Sequence, residues 1–442
     1  MDDPLPAAYR DPDGFLHDPV FHRTTTYAED CPTGPLTVSY AVAGSADVNA
    51  PVVVWINGMG GHRLAACLLD GKFTASGVRL ITVDRPSAGK STPVPLADRV
   101  RLSHEALLAV LAAENITRFS LLSHSNGVIY TLYTLLNLPD HLTVPSWTLS
   151  SPWVPPFLSG STLLSIASWI PSPLTARLGG FVSGLQRVLG PLDAGLGWST
   201  GVVRGMTEWS SGFVSMGTHA PSTPTTALSS SAASSESASA LQGAASGSGA
   251  NATPGAQAIE PELLTPEKQR ERFRRNNAKR PYHKKLFGGE YVPPGMFNEG
   301  MKIALAEGLD AMGLEAIMCL RQGDGANWGW VDASEPRDEM QLYARGFGRL
   351  RDAMQGEEEQ GARHRTRTPL RMSVWYGTED GLIPQRGREY LRRLLCSELG
   401  MVADEDWHEI KGAGHDDPLG LTCVIEPFLE QVIEAYRSLD TA

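Results

Sequence analysis

The segment Phe119-Ser-Leu-Leu-Ser-His-Ser-Asn-Gly-Val128 decides the fold, because it sets a serine between a strand and a helix. The apolar run that ends at Leu122 predicts a buried strand, and the apolar stretch from Val128 predicts a helix that follows directly. A strand–turn–helix of this kind, usually written G-x-S-x-G, is the context of a nucleophile elbow. Ser123 replaces the first glycine of that pattern. The segment therefore predicts Ser125 as a nucleophile above the edge of a sheet, or else a structural turn with a buried serine.

Strand and helix signals alternate on both sides of this segment. Short apolar or β-branched runs predict strands at 51–56, 78–83, 119–122, 144–149, 370–376 and 407–410. Apolar residues at helical spacing predict helices at 64–69, 104–113, 128–136, 296–320, 386–399 and 418–437. Such alternation implies an α/β fold with a mostly parallel central sheet flanked by helices.

The alternation is interrupted in the middle of the chain. We predict a core built from residues 1–154 and 369–442, with a helical cap or lid inserted at 155–368. Residues 218–258 consist mainly of Ser, Ala, Thr and Gly. Such a stretch buries too little apolar surface to offset the entropy lost on ordering, so we expect it to be disordered.

A nucleophilic serine needs a base, and the base needs a carboxylate that orients it. His415 ends a glycine-rich loop after the last predicted strand and is the candidate base. Asp380 follows the strand at 370–376 and is the candidate acid, with Glu379 as the alternative. His124 is next to the nucleophile, is expected to point elsewhere from the turn, and is interpreted as structural.

Backbone amides are expected to stabilise the negative charge that develops on an attacked carbonyl oxygen. One is the N–H of Asn126, which follows the nucleophile. The other comes from the loop Asn57-Gly-Met-Gly-Gly61, whose glycines allow an amide to point inward. We assign it to Met59, with Gly58 as the alternative.

Taken together, these motifs resemble the α/β-hydrolase superfamily, in its branch of large capped esterases, lipases and epoxide-hydrolase-like enzymes. The matching segments are Asn57-Gly58 (His-Gly in the family), Asp84 to Ser91 (D-x-x-G-x-G-x-S, with one glycine lost), Ser123 to Gly127, Gly377 to Pro384, and Gly412 to His415. They lie within about 50–154 and 369–437. The resemblance implies the fold and a Ser-Asp-His triad in that chain order.

The serine at the elbow favours one side of that superfamily. Members that resemble epoxide hydrolases or dehalogenases carry Asp there, so the resemblance implies cleavage of an ester, with a thioester or a C–C bond as alternatives. A non-catalytic binding protein on the same fold is the second hypothesis. No metal or organic cofactor is implied. The apolar insertion suggests a small, lipophilic ester or a lipid as substrate.

Composition excludes several other classes. The net charge of −11 argues against nucleic acid as a bulk partner. The five cysteines form no CxxC pair, which argues against a zinc or redox motif and favours a reducing, cytoplasmic location. The N-terminus lacks an apolar signal segment, and no apolar run is long enough to cross a membrane. Gly89-Lys-Ser-Thr92 resembles the end of a phosphate-binding loop, but Asp84 occupies the position of its first glycine.

Three further segments each have two interpretations. The basic run 268–285 is either a solvated helix face or a site for phospholipid headgroups or nuclear import. The apolar segment 157–190 either packs the insertion on the core or makes a peripheral contact with a membrane or acyl chains. The tryptophans of Asn327-Trp-Gly-Trp330 either line a pocket or pack the insertion against the core.

Overall fold

The computed structural model describes residues 4–31, 34–177, 264–308, 310–320, 328–330, 339–359 and 370–441. The stretch 218–258, for which we predict disorder, lies outside these residues. Much of the predicted insertion, including its C-terminal boundary, also lies outside these residues. The division at 154 and 369 therefore stays a prediction.

The centre of the fold is a single eight-stranded sheet. Its strands are β1 (Arg23–Tyr27), β2 (Leu36–Gly44), β3 (Val52–Ile56), β4 (Arg79–Val83), β5 (Ser120–His124), β6 (Ser146–Ser150), β7 (Arg371–Gly377) and β8 (Trp407–Ile410). The spatial order is β1-β2-β4-β3-β5-β6-β7-β8, in which β2 is antiparallel to β1 and β4 and the other neighbours are parallel. This is the α/β-hydrolase fold that the motifs imply.

Helices cover both faces of the sheet. In the described ranges, α-helices lie at Ala7–Arg10, Pro12–Leu16, Asp70–Ala75, Arg99–Ala113, Gly127–Leu136, Pro156–Ser159, Thr162–Ala167, Ser172–Ala176, Pro266–Ala278, Gly288–Tyr291, Met296–Glu307, Asp310–Cys319, Glu339–Glu359, Gln385–Arg392 and Thr422–Thr441. The predicted helical stretch 296–320 is divided in two at Gly308, whose φ of 112° no helix allows. The predicted helix at 64–69 is a 3₁₀ helix, Arg63–Leu68.

Alternate side chains of the central strands pack into two separate hydrophobic cores, one on each face of the sheet. Val54 and Ile81 face a core that also contains the helix residue Leu132. Val53 and Leu80, one residue earlier on the same strands, face a second core on the other side of the sheet. Because successive side chains of a strand point to opposite faces, burial on both sides gives the continuous apolar runs seen in the sequence.

The described part of the insertion packs on this framework. Trp328 and Trp330 are buried together with Trp153 from the core, with the Trp153 and Trp328 ring centroids 5.7 Å apart. These two tryptophans therefore serve packing. In the basic run, Phe273 and Arg270 are buried on one face of their helix. No helix in the described ranges combines the length and the apolar character needed to cross a bilayer.

Candidate active site

The predicted elbow turn lies between β5 and the helix Gly127–Leu136. Ser125 has a φ of 51°, a left-handed conformation that is strained for a residue with a side chain. Two backbone hydrogen bonds hold it there: the Ser125 amide donates to the Ser150 carbonyl at 3.0 Å, and the Trp153 amide donates to the Ser125 carbonyl at 3.1 Å. A strained residue that the end of β6 and the loop after it hold in place is typical of functional sites.

The residues two positions before and after Ser125 are explained by their contacts. A Cβ on Gly127 would lie 2.4 Å from the Ile56 carbonyl oxygen, so only glycine allows the helix to approach β3 this closely. Ser123 accepts a hydrogen bond from the buried Trp147 indole N–H at 2.8 Å. The serine that replaces the usual glycine therefore satisfies a buried donor.

The structure brings together the three side chains that the sequence nominates. His415 Nε2 lies 2.9 Å from Ser125 Oγ, and His415 Nδ1 lies 2.7 Å from Asp380 Oδ2. All three residues are at most 8% exposed. The serine and the histidine are 290 positions apart in the sequence, and the carboxyl ends of β5, β7 and β8 place all three at one edge of the sheet.

The loop after β7 fixes the orientation of the acid. Asp380 Oδ1 accepts the amides of Leu382 at 2.9 Å and Ile383 at 2.8 Å, which leaves Oδ2 for the histidine. Glu379, the alternative acid, is exposed and is not part of this arrangement.

The surroundings of His415 change its affinity for a proton. Burial alone would lower the pKa of His415, but the charge of Asp380, its hydrogen bond and the charge of Asp416 outweigh burial and raise the pKa above 6.5. The imidazolium that would form after proton abstraction from Ser125 is thus stabilised by two carboxylates.

The glycine-rich loop after β3 lies directly beside the serine. A Cβ on Gly58 would be 3.2 Å from Ser125 Cβ, so a side chain at this position would crowd the nucleophile. The amide of Gly60 donates to Glu315 and that of Gly61 to the Gly58 carbonyl. Within the described residues the amides of Gly58, Met59 and Asn126 donate to no protein acceptor, so all three predicted donors remain available.

A second histidine–aspartate pair lies next to the first. His124 Nε2 is 2.9 Å from Asp416 Oδ1, and His124 Nδ1 is 3.1 Å from the Ser150 carbonyl. The His124 and His415 rings are 5.2 Å apart. Both ring nitrogens of His124 thus bond groups other than the Ser125 hydroxyl, in keeping with the interpretation of His124 as structural. Asp416, the residue after His415, thus bonds a different histidine from its neighbour in the chain.

Among the residues that the structure describes, two groups of histidine and carboxylate side chains are compact enough to suggest a metal: His124 with His415 and Asp416, and His62 with Asp84 and Glu307. In the first, the facing atoms of His124 and Asp416 already bond to one another. In the second, Arg63 bonds both carboxylates, at 2.7 Å and 2.6 Å, so a cation already neutralises them. Neither group needs an ion to account for its geometry.

Comparison with known proteins gives distant matches only. No protein-family model matches the chain, and no curated protein matches it. Among solved structures, it is similar to a putative lipase from Acinetobacter baumannii AYE (11% identity, 99% of this chain and 100% of that chain, TM-score 0.46). It is also similar to a carboxylesterase structure from Nitrososphaera gargenis (11%, 91% and 97%, 0.42) and to 2-hydroxy-6-oxo-6-phenylhexa-2,4-dienoate hydrolase from Rhodococcus sp. strain RHA1 (15%, 94% and 99%, 0.42). With identities this low, these structures carry no information on activity, which has to be inferred from the site.

Proposed function

We propose that this chain is a serine hydrolase that cleaves a carboxylic ester through a covalent acyl-enzyme. One observation carries the proposal: the continuous hydrogen-bond chain from Ser125 Oγ through His415 to Asp380, with distances of 2.9 Å and 2.7 Å. A hydroxyl paired with an imidazole that is oriented by a carboxylate is the arrangement that activates serine for nucleophilic attack.

In the proposed reaction, His415 Nε2 takes the proton of Ser125 as Oγ attacks the ester carbonyl. Asp380 holds Nδ1–H and stabilises the imidazolium. The amides of Asn126 and Met59, or Gly58 in its place, donate to the oxyanion. Collapse of the tetrahedral intermediate expels the alcohol, which takes the proton from His415, and leaves Ser125 acylated. His415 then takes a proton from water as the water oxygen attacks the acyl carbonyl. The second tetrahedral intermediate collapses by breaking its bond to Ser125 Oγ, which takes the proton back from His415, and the carboxylic acid is released.

A lipophilic substrate is supported by the insertion. Its described helices expose large apolar side chains next to the core, among them Phe157, Ile166, Trp169 and Leu174. Exposed apolar surface of this kind often marks a contact with a lipid, a ligand or another protein.

The nucleophile is tested with a fluorophosphonate probe, which phosphonylates activated serines. We expect labelling of the wild type and its loss in Ser125→Ala, because Ser125 Oγ is the hydroxyl that bonds His415. Ser151→Ala is the matched control, since Ser151 is also buried and also has a positive φ, 43°, but follows β6. Absence of labelling in folded wild-type protein would contradict the proposal and favour a binding protein on this fold.

The bond cleaved is tested separately with a substrate panel on wild-type protein that has not been treated with the probe. p-Nitrophenyl esters of increasing acyl length, an acyl thioester and a vinylogous 1,5-diketone represent the three classes. We expect the highest kcat/KM for an ester, rising with acyl length. A preference for the thioester or the diketone would leave Ser125 as the proposed nucleophile but would contradict the proposed substrate class.

A further inference from the structure

The insertion contributes one buried carboxylate that the proposed mechanism does not use. Glu315, on the helix Asp310–Cys319, is 1% exposed. It bonds two arginines of the core, Arg85 Nη2 at 2.9 Å and Arg99 Nη2 at 3.0 Å, and it accepts the amide of Gly60 at 3.0 Å. Burial would raise the pKa of Glu315, but the two arginines outweigh burial and lower it, so the carboxylate is charged.

Arg85 in turn holds the loop after β3 by its carbonyl groups. Its Nη1 donates to the Asn57 carbonyl at 2.6 Å, and its Nη2 donates to the Gly58 carbonyl. Its guanidinium also lies over the Tyr130 ring, 4.7 Å from the centroid. The flat guanidinium fork is thus fixed on one face by the ring and along one edge by Glu315.

These two carbonyls belong to the peptide groups that carry the candidate oxyanion donors. The N–H of Gly58 lies in the peptide of the Asn57 carbonyl, and the N–H of Met59 in that of the Gly58 carbonyl. Because a trans peptide is planar, its N–H points opposite to its C=O. Arg85 therefore turns both amides away from itself, and Ser125 lies close to the same loop, with its Cβ 3.2 Å from where a Gly58 Cβ would be.

Further contacts join the same helix to the loops beneath it. Met312 packs against Gly60, where a Cβ would come within 2.4 Å of the Met312 methyl group. The Ala311 amide donates to the carbonyl of Ser87 at 3.1 Å. Ser87 is the residue that replaces the missing glycine of the Asp84–Ser91 motif, and it keeps a positive φ of 68°.

We propose that Glu315 is a positioning residue that, through Arg85 and Gly60, fixes the Gly58 and Met59 amides for oxyanion binding. This inference rests on the proposed function of the site. It makes the oxyanion hole a joint product of core and insertion, because the amides come from the core and the carboxylate that fixes them comes from the insertion. Hydrogen bonds that orient a donor before the reaction are a large part of such stabilisation.

The chain offers a matched control in Glu307, which ends the preceding helix, Met296–Glu307. Glu307 also joins the insertion to a largely buried core arginine, bonding Arg63 at 2.6 Å and 2.8 Å. Arg63 bonds Asp84 and the Phe21 carbonyl rather than those of Asn57 and Gly58. Glu315→Gln and Glu307→Gln thus remove equivalent charges, and only the first touches the groups that orient the amides.

The experiment measures p-nitrophenyl butyrate hydrolysis and inhibition by an alkyl trifluoromethyl ketone, whose adduct with serine carries an oxyanion. For Glu315→Gln we expect kcat to fall about 10- to 100-fold, with KM within about threefold, since a whole oxyanion donor contributes roughly 100- to 1,000-fold. The ketone should bind more weakly by a similar factor. Glu307→Gln should stay within about threefold on both measures. Equal losses in the two variants, or a rise in KM alone for Glu315→Gln, would overturn the inference.

Two additions keep the test decisive. If Glu315→Gln fails to fold, Arg85→Lys replaces it, because lysine keeps the charge but lacks the planar fork that bonds both carbonyls and Glu315 at once, and the same loss of kcat is expected. Amide hydrogen exchange of the 57–61 segment is measured in parallel and should accelerate in Glu315→Gln but not in Glu307→Gln. Unchanged exchange contradicts the positioning role even when no substrate is turned over, whereas an inactive, unlabelled wild type contradicts only the proposed function.

Discussion

At the scale of single residues, the pKa of His415 depends on more than the carboxylate of Asp380. Asp380 receives its hydrogen bond, but the charge of Asp416 also helps to raise the pKa of His415. Asp416 is itself held by His124 at 2.9 Å. The neighbouring pair thus acts on the site through its field, without a hydrogen bond to the reacting groups.

Replacing Asp416 by Asn should shift the acid limb of the pH–kcat/KM profile to lower pH. Asp416 raises the pKa of His415, so its neutralisation lowers that pKa. A base works only in its neutral form, and a lower pKa leaves more of it neutral at acidic pH. The amide of Asn keeps a hydrogen-bonding partner for His124, so the fold should be retained.

The profile of Glu379→Gln provides the comparison for this measurement. Glu379 is next to Asp380 in sequence but is exposed, and it makes no contribution to the pKa of His415. Its acid limb should coincide with that of the wild type. A shift in Glu379→Gln equal to that in Asp416→Asn would mean that the effect is one of overall charge.

The triad residues could be predicted from sequence because each follows a strand inside a short motif. Ser125, Asp380 and His415 all come just after strands of one parallel sheet, and such strand ends meet at one edge. Glu315 and Asp416 could not be found in this way. Glu315 sits in a helix that no motif marks, and its partners, Arg85 and Arg99, are more than 200 positions away. Only the packed structure shows which charges are buried together.

At the scale of elements, the junction of β3, β5 and the helix Gly127–Leu136 sets the geometry of the site. The absence of a side chain at Gly127 lets that helix lie against the end of β3. The same end of β3 leads into the loop that carries the Gly58 and Met59 amides. Elbow and oxyanion loop are thus joined through one close contact.

Gly127→Ala should destabilise the protein by about 1–3 kcal/mol, the usual cost of overpacking. It should also reduce fluorophosphonate labelling, because the Ile56 and Asn57 carbonyls, 2.4 Å and 2.8 Å from the new Cβ, have to move. Urea unfolding and labelling rates measure the two effects.

Gly348→Ala is the control for this substitution. Gly348 lies in the helix Glu339–Glu359, and nothing lies within 4 Å of an added Cβ. Here alanine should stabilise by about 0.5–1 kcal/mol, because glycine is the poorer helix residue, and labelling should not change. Destabilisation of both variants to the same extent would show that the contact at β3 is not the cause.

Most of the strands that the sequence predicts are short apolar runs buried on both faces, as in β3 to β7, whereas β8 lies at an edge of the sheet and is partly exposed. The structure confirms all six, β3 to β8, with shifts of at most two residues at either end. β1 and β2 were missed. β1 reads Arg-Thr-Thr-Thr-Tyr and lies at the edge of the sheet, and together with β2 it forms the antiparallel part. A search for continuous apolar runs, which parallel strands favour, does not detect such edge strands.

At the scale of the whole molecule, an aromatic cluster joins the insertion to the core next to the elbow turn. Trp153, whose amide holds the Ser125 carbonyl, packs against Trp328 and Tyr343 with ring centroids 5.7 Å and 6.3 Å away. Trp328 also donates its indole N–H to the Met318 carbonyl at 3.1 Å. The three aromatic side chains therefore connect two helices of the insertion, Asp310–Cys319 and Glu339–Glu359, to the elbow turn.

Trp328→Ala should lower the free energy of unfolding by about 3–5 kcal/mol, since it leaves a large cavity in a buried cluster. Trp169→Ala is the control, because Trp169 is 87% exposed and its loss should change stability by no more than about 0.5 kcal/mol. Guanidinium unfolding measures both. Equal stability of the two variants would mean that the insertion and the core do not depend on this cluster.

The sequence predicts an insertion but not how it docks. Its helical stretches follow from their apolar spacing, as at 296–320. Which of its side chains meet the core depends on contacts between residues that no local pattern relates, such as Trp328 with Trp153. The surface of the insertion, which we propose to shape substrate choice, is therefore the part least accessible from sequence.

The pairing of β6 with β7 has a consequence for how much the chain can vary. The Thr148 and Ser373 hydroxyls of these neighbouring strands lie 2.9 Å apart, yet 225 positions separate them along the chain. The entropy cost of closing a flexible loop grows only with the logarithm of its length, about 0.6 kcal/mol for each doubling. Lengthening the polypeptide between these strands therefore costs little in loop entropy, so a foreign module can be grafted between them, provided that Trp328, which packs against the core, and Glu315, which fixes the proposed oxyanion donors, are kept.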